Sequence, residues 1–468
     1  MTTTLGARIV VAGVSSGVGK TTVATGLMAA LRARGMKVAS AKVGPDFIDP
    51  GYHALATGRP GRNLDSWICG EAAMPALAGR AAAGADILVV EGVMGLFDGA
   101  ADGNPEASTA SIARQLNAPV LLVVDTSAMS GSVAALVHGY CTFDQSVRVA
   151  GVILNRIGSP GHETLLREAL QPLGIPVLGG LHRDSSFTWR DRHLGLVPVV
   201  EDAARISRSI ARLAGGVTAS LDLNAIEGLA RTAPTWRVDQ PPTSRRVGDA
   251  RVAIAAGPAF SFVYQDNLEA LEAAGAELMP FDPRHESSLP EGSTALYAGG
   301  GFPEVFVAEL SENQPLQRDL RKRTAHGLVI WAECGGLLWL GQSLDGHPLT
   351  GLLPTEGTMT DRLTLGYRTA ELQENCPLGS AGRTLRGHEF HYSTVTPGGS
   401  AVTLRSRAGE SSAGFATPEL FASYLHLHLG SDPITAEHFV STASAHRSLP
   451  REDALPPDGQ PENLSDSS

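Results

Sequence analysis

The residues with the most recognisable chemistry form the run Gly13-Val14-Ser15-Ser16-Gly17-Val18-Gly19-Lys20-Thr21-Thr22. It follows a short apolar stretch and leads into an apolar helical stretch from Val23, the strand, glycine loop and helix N-terminus of a phosphate-binding P-loop. Glycines let backbone N–H groups converge on phosphate oxygens, Lys20 can reach the outer phosphates, and the Thr21 hydroxyl can ligate Mg²⁺. The expected nucleotide-binding set is Gly13, Ser16, Gly17, Val18, Gly19, Lys20, Thr21 and Thr22. A strict P-loop would carry its first glycine at Val14; here it lies one residue earlier. A Gly-rich turn that only packs helix on strand is the plainer reading, and GKTT at this junction argues against it. Asp46 in KVGPDFIDPG follows the second strand, and Glu91 and Asp98 in VVEGVMGLFDG follow the third. All three should emerge at the carboxyl edge of the sheet, beside the phosphates. Hard oxygen donors for Mg²⁺ are then expected from Thr21, Asp46 and Glu91, and a phosphoryl or substrate site from Asp46 and Asp98. Capping a helix or turn is the competing role for these acids, closest in weight for Asp98 and Asp49. Asn155, ending a strand in ILNRIG, could read an adenine edge or simply form a turn.

A second constellation surrounds a thiol. In GLVIWAECGGLLWLG an apolar strand ends at Cys334, and Gly335-Gly336 lead into an apolar helical stretch, a strand-to-helix elbow around a nucleophile. The helix N-terminus is expected to lower the thiol pKa, and the Gly335 N–H to serve a developing oxyanion. Gly300 and Gly301, in Gly299-Gly300-Gly301 after another strand, could add a second donor. A free cysteine is ordinarily an inert core residue; the flanking acid and glycines favour the nucleophile here. Bases are offered by RGHEFHYS (His388, His391) and FASYLHLHLG (His426, His428). Strand alternation puts His426 and His428 on one face, and His426 is the expected base.

These sites need a scaffold that delivers strand ends to one edge. From Ala7 to about Arg231, short apolar runs (8–12, 37–42, 87–91, 120–125, 149–154) alternate with helical stretches, as in a doubly wound parallel sheet. Residues 1–231 are read as one domain, and 232–250, rich in Pro, Ser and Arg, as a linker. A second α/β domain spans 251–446, with strands near 295–298 and 328–332 and a helix near 267–274. Residues 447–468 form an acidic, Pro-rich tail with too little apolar content for a core, and are expected to be disordered. The 468 residues, 53 of them glycine, suit such an architecture. With 37 Lys+Arg against 48 Asp+Glu, a net charge of −11 argues against nucleic acid and membrane partners. Neither a signal peptide nor a membrane span is read, and four scattered cysteines without metal spacing suit a reduced, cytoplasmic setting.

The ordered set GVSSGVGKTT, KVGPDFIDPGYH, GRNLDSW, EGVMGLFDG, RHLGLVP, GGGFPE, AECGGLLWL, GHEFHYS and SYLHLH resembles the cobyrinic/hydrogenobyrinic acid a,c-diamide synthase family, over roughly residues 7–446. The first half resembles the dethiobiotin-synthetase-like P-loop fold. The second resembles a class I glutamine amidotransferase domain of the cobyric-acid type. The resemblance implies that Cys334, with His426, frees ammonia from glutamine. ATP, with Mg²⁺, activates the a and c carboxylates of a corrinoid as acyl phosphates, which ammonia then attacks. ATP and L-glutamine would be co-substrates, the corrinoid the only expected partner, and a homodimer the oligomer to test for. In ordinary class I enzymes a Glu two residues after the base orients it; here that place is His428, so Cys334–His426 reads as a dyad whose orienting group is open, with Glu389 a weak candidate. The alternatives are cobyric acid synthase, another tetrapyrrole amidase, or a nucleotide-switch protein, whose P-loop lysine near the start is replaced by Ser15.

Overall fold

The computed structural model describes residues 2–99, 107–183, 191–192, 195–196 and 198–447. The tail from residue 448 and part of the RHLGLVP stretch lie outside the described residues.

The first domain is built on a seven-stranded parallel sheet in the order 62–64, 38–43, 87–91, 8–13, 120–125, 149–157, 177–182. Its strands are apolar on both faces because each face is covered. Val10, Val90 and Leu122 pack into one core, while Ile9, Val11, Val89, Leu121 and Val123 pack into another beneath the P-loop helix Lys20–Ala33. Each such side chain contributes about 1.5–3 kcal/mol on burial. Strand order reverses between 8–13 and its two neighbours, which opens a crevice at the carboxyl edge where the P-loop lies.

The second domain holds a six-stranded sheet, 276–281, 250–255, 295–298, 329–333, 420–423, 415–417, parallel except at its last edge. Two-sided packing recurs, with Leu296 and Ile330 in one core and Tyr297, Val329 and Trp331 in the other. A further, mostly antiparallel sheet is organised by the long hairpin Glu356–Leu372 and Thr384–Thr396. Its second strand carries His388 to His391 and pairs His388 with His426.

The segment 232–250 is more ordered than a linker reading implies. Trp236–Asp239 forms an antiparallel pair with Thr2–Leu5. Fully buried Arg8 fixes it: its guanidinium donates to the carbonyls of Leu116, Gly6 and Pro234 and lies 4.7 Å from the Trp236 ring. The domains also meet through charge. Arg62 pairs with Asp266 at 3.0 Å and Glu269 at 2.6 Å, and Arg80 with Asp266 at 3.0 Å.

Candidate functional site

The P-loop turns out of the sheet with Gly17 and Gly19 at φ of 76° and 91°. Gly19 is required twice over, since a Cβ there would also stand 2.3 Å from Asn155 Nδ2. The Asn155 amide donates to the Val18 carbonyl at 2.8 Å and its oxygen accepts from the Arg156 N–H. Asn155 therefore braces the loop. Lys20 folds back onto the Ser15 carbonyl at 2.9 Å. Burial, with Lys42 nearby, lowers its ammonium to about 8.

The acids are distributed differently from expectation. Thr21 donates to Glu91 Oε1 at 2.6 Å and faces Asp49 Oδ2 at 3.3 Å. Asp46 instead accepts the backbone N–H groups of Ile48 and Asp49 in the turn that leads into the helix Asp49–Thr57, and it is Asp49 that lies beside Thr21. Asp98 accepts from the Gly95 N–H at 2.7 Å and is near enough to Lys20 for its charge to favour the ammonium. Two partners of these acids, Lys42 and His53, went unnoticed in the sequence. Lys42 Nζ lies 2.6 Å from Asp49 and 2.8 Å from Glu91, and His53 Nε2 lies 2.6 Å from the other Glu91 oxygen. Burial alone would raise the Glu91 pKa, but Lys42 and His53 hold it well below the usual carboxylate range. Burial opposes the charge of Lys42, and its two carboxylates more than offset that. The signal for Lys42 was present as the one charge within an otherwise apolar strand.

Among the described residues no three His, Cys, Asp or Glu side chains are arranged to hold an ion by themselves. A hydroxyl and two carboxylates on Thr21, Asp49 and Glu91 nevertheless fit Mg²⁺, which takes few protein ligands and completes its shell with phosphate and water.

In the second domain Cys334 ends the strand Val329–Glu333 and holds φ 48° and ψ −99°, a strained elbow at the start of the helix Gly335–Leu340. The Gly335 N–H faces the sulfur, which lies 4.0 Å from the Phe390 carbonyl. A Cβ at Gly335 would lie 3.1 Å from the Gly301 nitrogen, so the two expected oxyanion donors adjoin one another. Gly300 does not join them, because its N–H donates to the Phe262 carbonyl at 3.1 Å. Its lack of a side chain serves otherwise: a Cβ there would strike His426 Cε1 at 2.4 Å. The expected lowering of the thiol pKa is reversed. Burial, then Glu304, push it up, and Glu333 and Glu389 add to this against the Gly335 N–H. A resting thiol of this kind needs a base.

His426 Nδ1 lies 3.7 Å from Glu333 Oε2. Glu333 is itself held by the Leu427 N–H at 3.0 Å and the Tyr297 hydroxyl at 3.1 Å. The acid preceding the cysteine in sequence is thus the carboxylate behind the histidine, whereas Glu389 is paired with Arg368 at 2.7 Å. His428 points elsewhere, with Nδ1 3.2 Å from Cys69 Sγ and Nε2 3.9 Å from Asp266. The strand Leu420–Ser423 ends before these histidines, and His426–Leu427 forms a two-residue strand in the other sheet that stops short of His428, so simple alternation does not hold. His391 stacks on Tyr424 at 3.7 Å and bonds the Ser393 carbonyl.

Phe47, one residue after Asp46, crosses between the domains. Its ring lies 4.3 Å from Tyr264, 4.9 Å from His426, 5.2 Å from Phe262 and 5.7 Å from His388. A cavity of about 830 Å³ opens beside it, with Asp46 and Met94 on the first-domain wall and Tyr367, Arg368, His388 and Phe390 on the second.

Residues 9–197 match the CobQ/CobB/MinD/ParA nucleotide binding domain, and residues 251–434 the CobB/CobQ-like glutamine amidotransferase domain. Fold and site thus define a glutamine-dependent amidating enzyme with a P-loop nucleotide-binding domain in the same chain. The chain is 48% identical to hydrogenobyrinate a,c-diamide synthase of Streptomyces coelicolor, over 92% of this chain and 96% of that one. It is 45% identical to the enzyme of the same name from Thermobifida fusca, over 94% and 97%, and 41% identical to cobyrinate a,c-diamide synthase of Synechococcus sp., over 95% and 100%. The chain belongs to the hydrogenobyrinate/cobyrinate a,c-diamide synthase family.

Proposed function

We propose that this protein amidates the a and c side-chain carboxylates of hydrogenobyrinic or cobyrinic acid, using ATP and the side-chain nitrogen of glutamine. The observation that carries this reading is the shared cavity, which borders the Asp46–Phe47 loop on one side and the Cys334 neighbourhood on the other. Its volume of about 830 Å³ suits a tetrapyrrole-sized ligand. Exposed Leu365 and Met94, with Trp67, offer apolar surface for a flat ring, and the same cavity is lined by Arg368, paired with Glu389, and Arg405, paired with Glu371 and Glu410.

In the amidotransferase domain His426 takes the Cys334 proton and the thiolate attacks the glutamine amide carbon. The N–H groups of Gly301 and Gly335 hold the oxyanion, and His426 returns the proton to the leaving nitrogen, so ammonia departs and a thioester remains. Water, deprotonated by His426, hydrolyses the thioester to glutamate and restores the thiol. In the P-loop domain the N–H groups of residues 16–20 and the Lys20 ammonium hold ATP while a substrate carboxylate oxygen attacks the γ-phosphorus, releasing ADP and forming an acyl phosphate. Thr21, Asp49 and Glu91 would hold Mg²⁺, which when bound neutralises phosphate charge. Ammonia then attacks the acyl carbon, phosphate leaves, and the amide nitrogen gives up a proton. A cytoplasmic location fits these co-substrates, and no described helix is long and apolar enough to cross a membrane.

The test is incubation with ATP, Mg²⁺ and glutamine against each macrocycle, with mass spectrometry of the products. Two amide additions are expected. Cys334→Ala should form them from ammonium but not from glutamine; glutamine use by the variant would overturn the thiol assignment.

A further inference from the structure

Ammonia freed at Cys334 must reach the acyl phosphate as a neutral nucleophile, and the wall between the two is built mainly of aromatic rings. Phe47, Phe262 and Tyr264 close it on the P-loop side of His426. His388 is the exception in chemistry. It is 1% exposed, it borders the cavity, and neither Nδ1 nor Nε2 has a hydrogen-bond partner. Buried polar atoms are almost always satisfied, and an orphaned imidazole facing a cavity implies a polar species that visits it. Its ring stacks on that of His426 at 5.0 Å with 20° between planes, and the two residues are paired across adjacent strands. Phe390, two residues on, also borders the cavity, and its carbonyl is the one 4.0 Å from Cys334 Sγ. His388 therefore touches the base that releases ammonia on one side and the space that receives it on the other. The hydroxyl of Tyr264, whose ring lies 4.3 Å from Phe47, is also buried without a partner.

We propose that His388 is the relay that passes ammonia from the Cys334–His426 site into the substrate cavity. The proposal rests on the function proposed above. A neutral imidazole carries one N–H donor and one bare nitrogen, which match the single lone pair and the N–H groups of ammonia. No covalent bond forms or breaks at His388, and no proton is exchanged. Burial, reinforced by His426 and His428, holds its pKa well below the ordinary histidine value, so it has no proton with which to turn ammonia into unreactive ammonium.

The experiment compares wild type with His388→Phe, which keeps an aromatic ring but no polar atom, and His388→Gln, which keeps a donor and an acceptor. Glutamate released and amide formed are measured in the same reaction. For wild type and His388→Gln about one amide should form per glutamate, and for His388→Phe fewer than about half as many, whatever the absolute rates. Should His388→Phe release no glutamate, His388→Leu is measured in the same way. An apolar variant coupled as tightly as wild type would overturn the relay, as would a Gln variant as uncoupled as the apolar one. A wild-type protein that forms no amide from glutamine would overturn the underlying function instead.

Discussion

The ring of Phe47 lies 4.9 Å from the imidazole of His426, so a side chain of the P-loop domain covers the proposed base of the amidotransferase domain. Phe47 immediately follows Asp46, which shares its wall of the cavity. One ring thus ties the proposed substrate cavity to the proposed glutaminase base by contact.

Removing that ring should loosen the tie. Phe47→Ala is expected to release more glutamate per amide formed than wild type, because the cover between the dyad and solvent is lost. The ratio of the two products checks this, and an unchanged ratio would show that Phe47 is packing alone.

Glu333 stands behind His426 and should hold the imidazole in the tautomer and orientation that accept the thiol proton. Glu333→Gln keeps the acceptor for the Leu427 N–H but removes the charge. Glutamine-dependent amidation is expected to fall by about 100-fold or more while ammonium-dependent amidation persists. Thiol alkylation of Cys334 should slow in parallel. Equal losses with both nitrogen sources would contradict this role.

Lys42 is buried between Asp49 and Glu91, and its loss would leave two carboxylates without their cation. Lys42→Met is expected to cost on the order of 3–5 kcal/mol of stability and to abolish amidation with either nitrogen source. Denaturant unfolding and ammonium-supported turnover measure both. A variant as stable as wild type would mean that the carboxylates find another cation.

Much of this was legible in the sequence where chemistry is local. The P-loop and the Cys334 elbow each depend on neighbours a few residues away, and the apolar runs placed five of the seven strands of the first sheet, four of them to within one residue at each end and 149–154 three residues short, while 62–64 and 177–182 went unread. What failed is what depends on distant pairing. Asp46 and Asp49 are three residues apart and of one type; only the fold turns Asp49 inward to Thr21 and leaves Asp46 on the N–H groups of Ile48 and Asp49. Glu333 was read only as an acid flanking Cys334 and not as a partner of His426, because His426 arrives from a strand more than ninety residues later. The hairpin that forms the second wall of the cavity is largely polar and half exposed, so no apolar period announced it.

His391 makes the fold sensitive to acid. Burial lowers its pKa to about 4, with His426 and Arg368 also opposing its charge and the Ser393 carbonyl favouring it. Unfolded, it titrates near the ordinary value of about 6.5. In between, the unfolded chain binds a proton that the folded one refuses, so this contribution to stability is complete above about pH 6.5 and is lost as pH falls toward 4, at up to ~1.4 kcal/mol per unit. His391→Gln should therefore flatten the decline in melting temperature between about pH 6.5 and 4.5. An identical profile would contradict the assignment.

The central claim is that the nitrogen of glutamine crosses from Cys334 to carboxylates activated at the P-loop. The most direct measurement supplies glutamine isotopically labelled in its side-chain amide, with ATP, Mg²⁺ and hydrogenobyrinic acid, in the presence of excess unlabelled ammonium at low enough concentration not to serve alone. Mass spectrometry of the macrocycle should find two new amides, both carrying the label. A macrocycle left unamidated, or amidated without the label, would contradict the account.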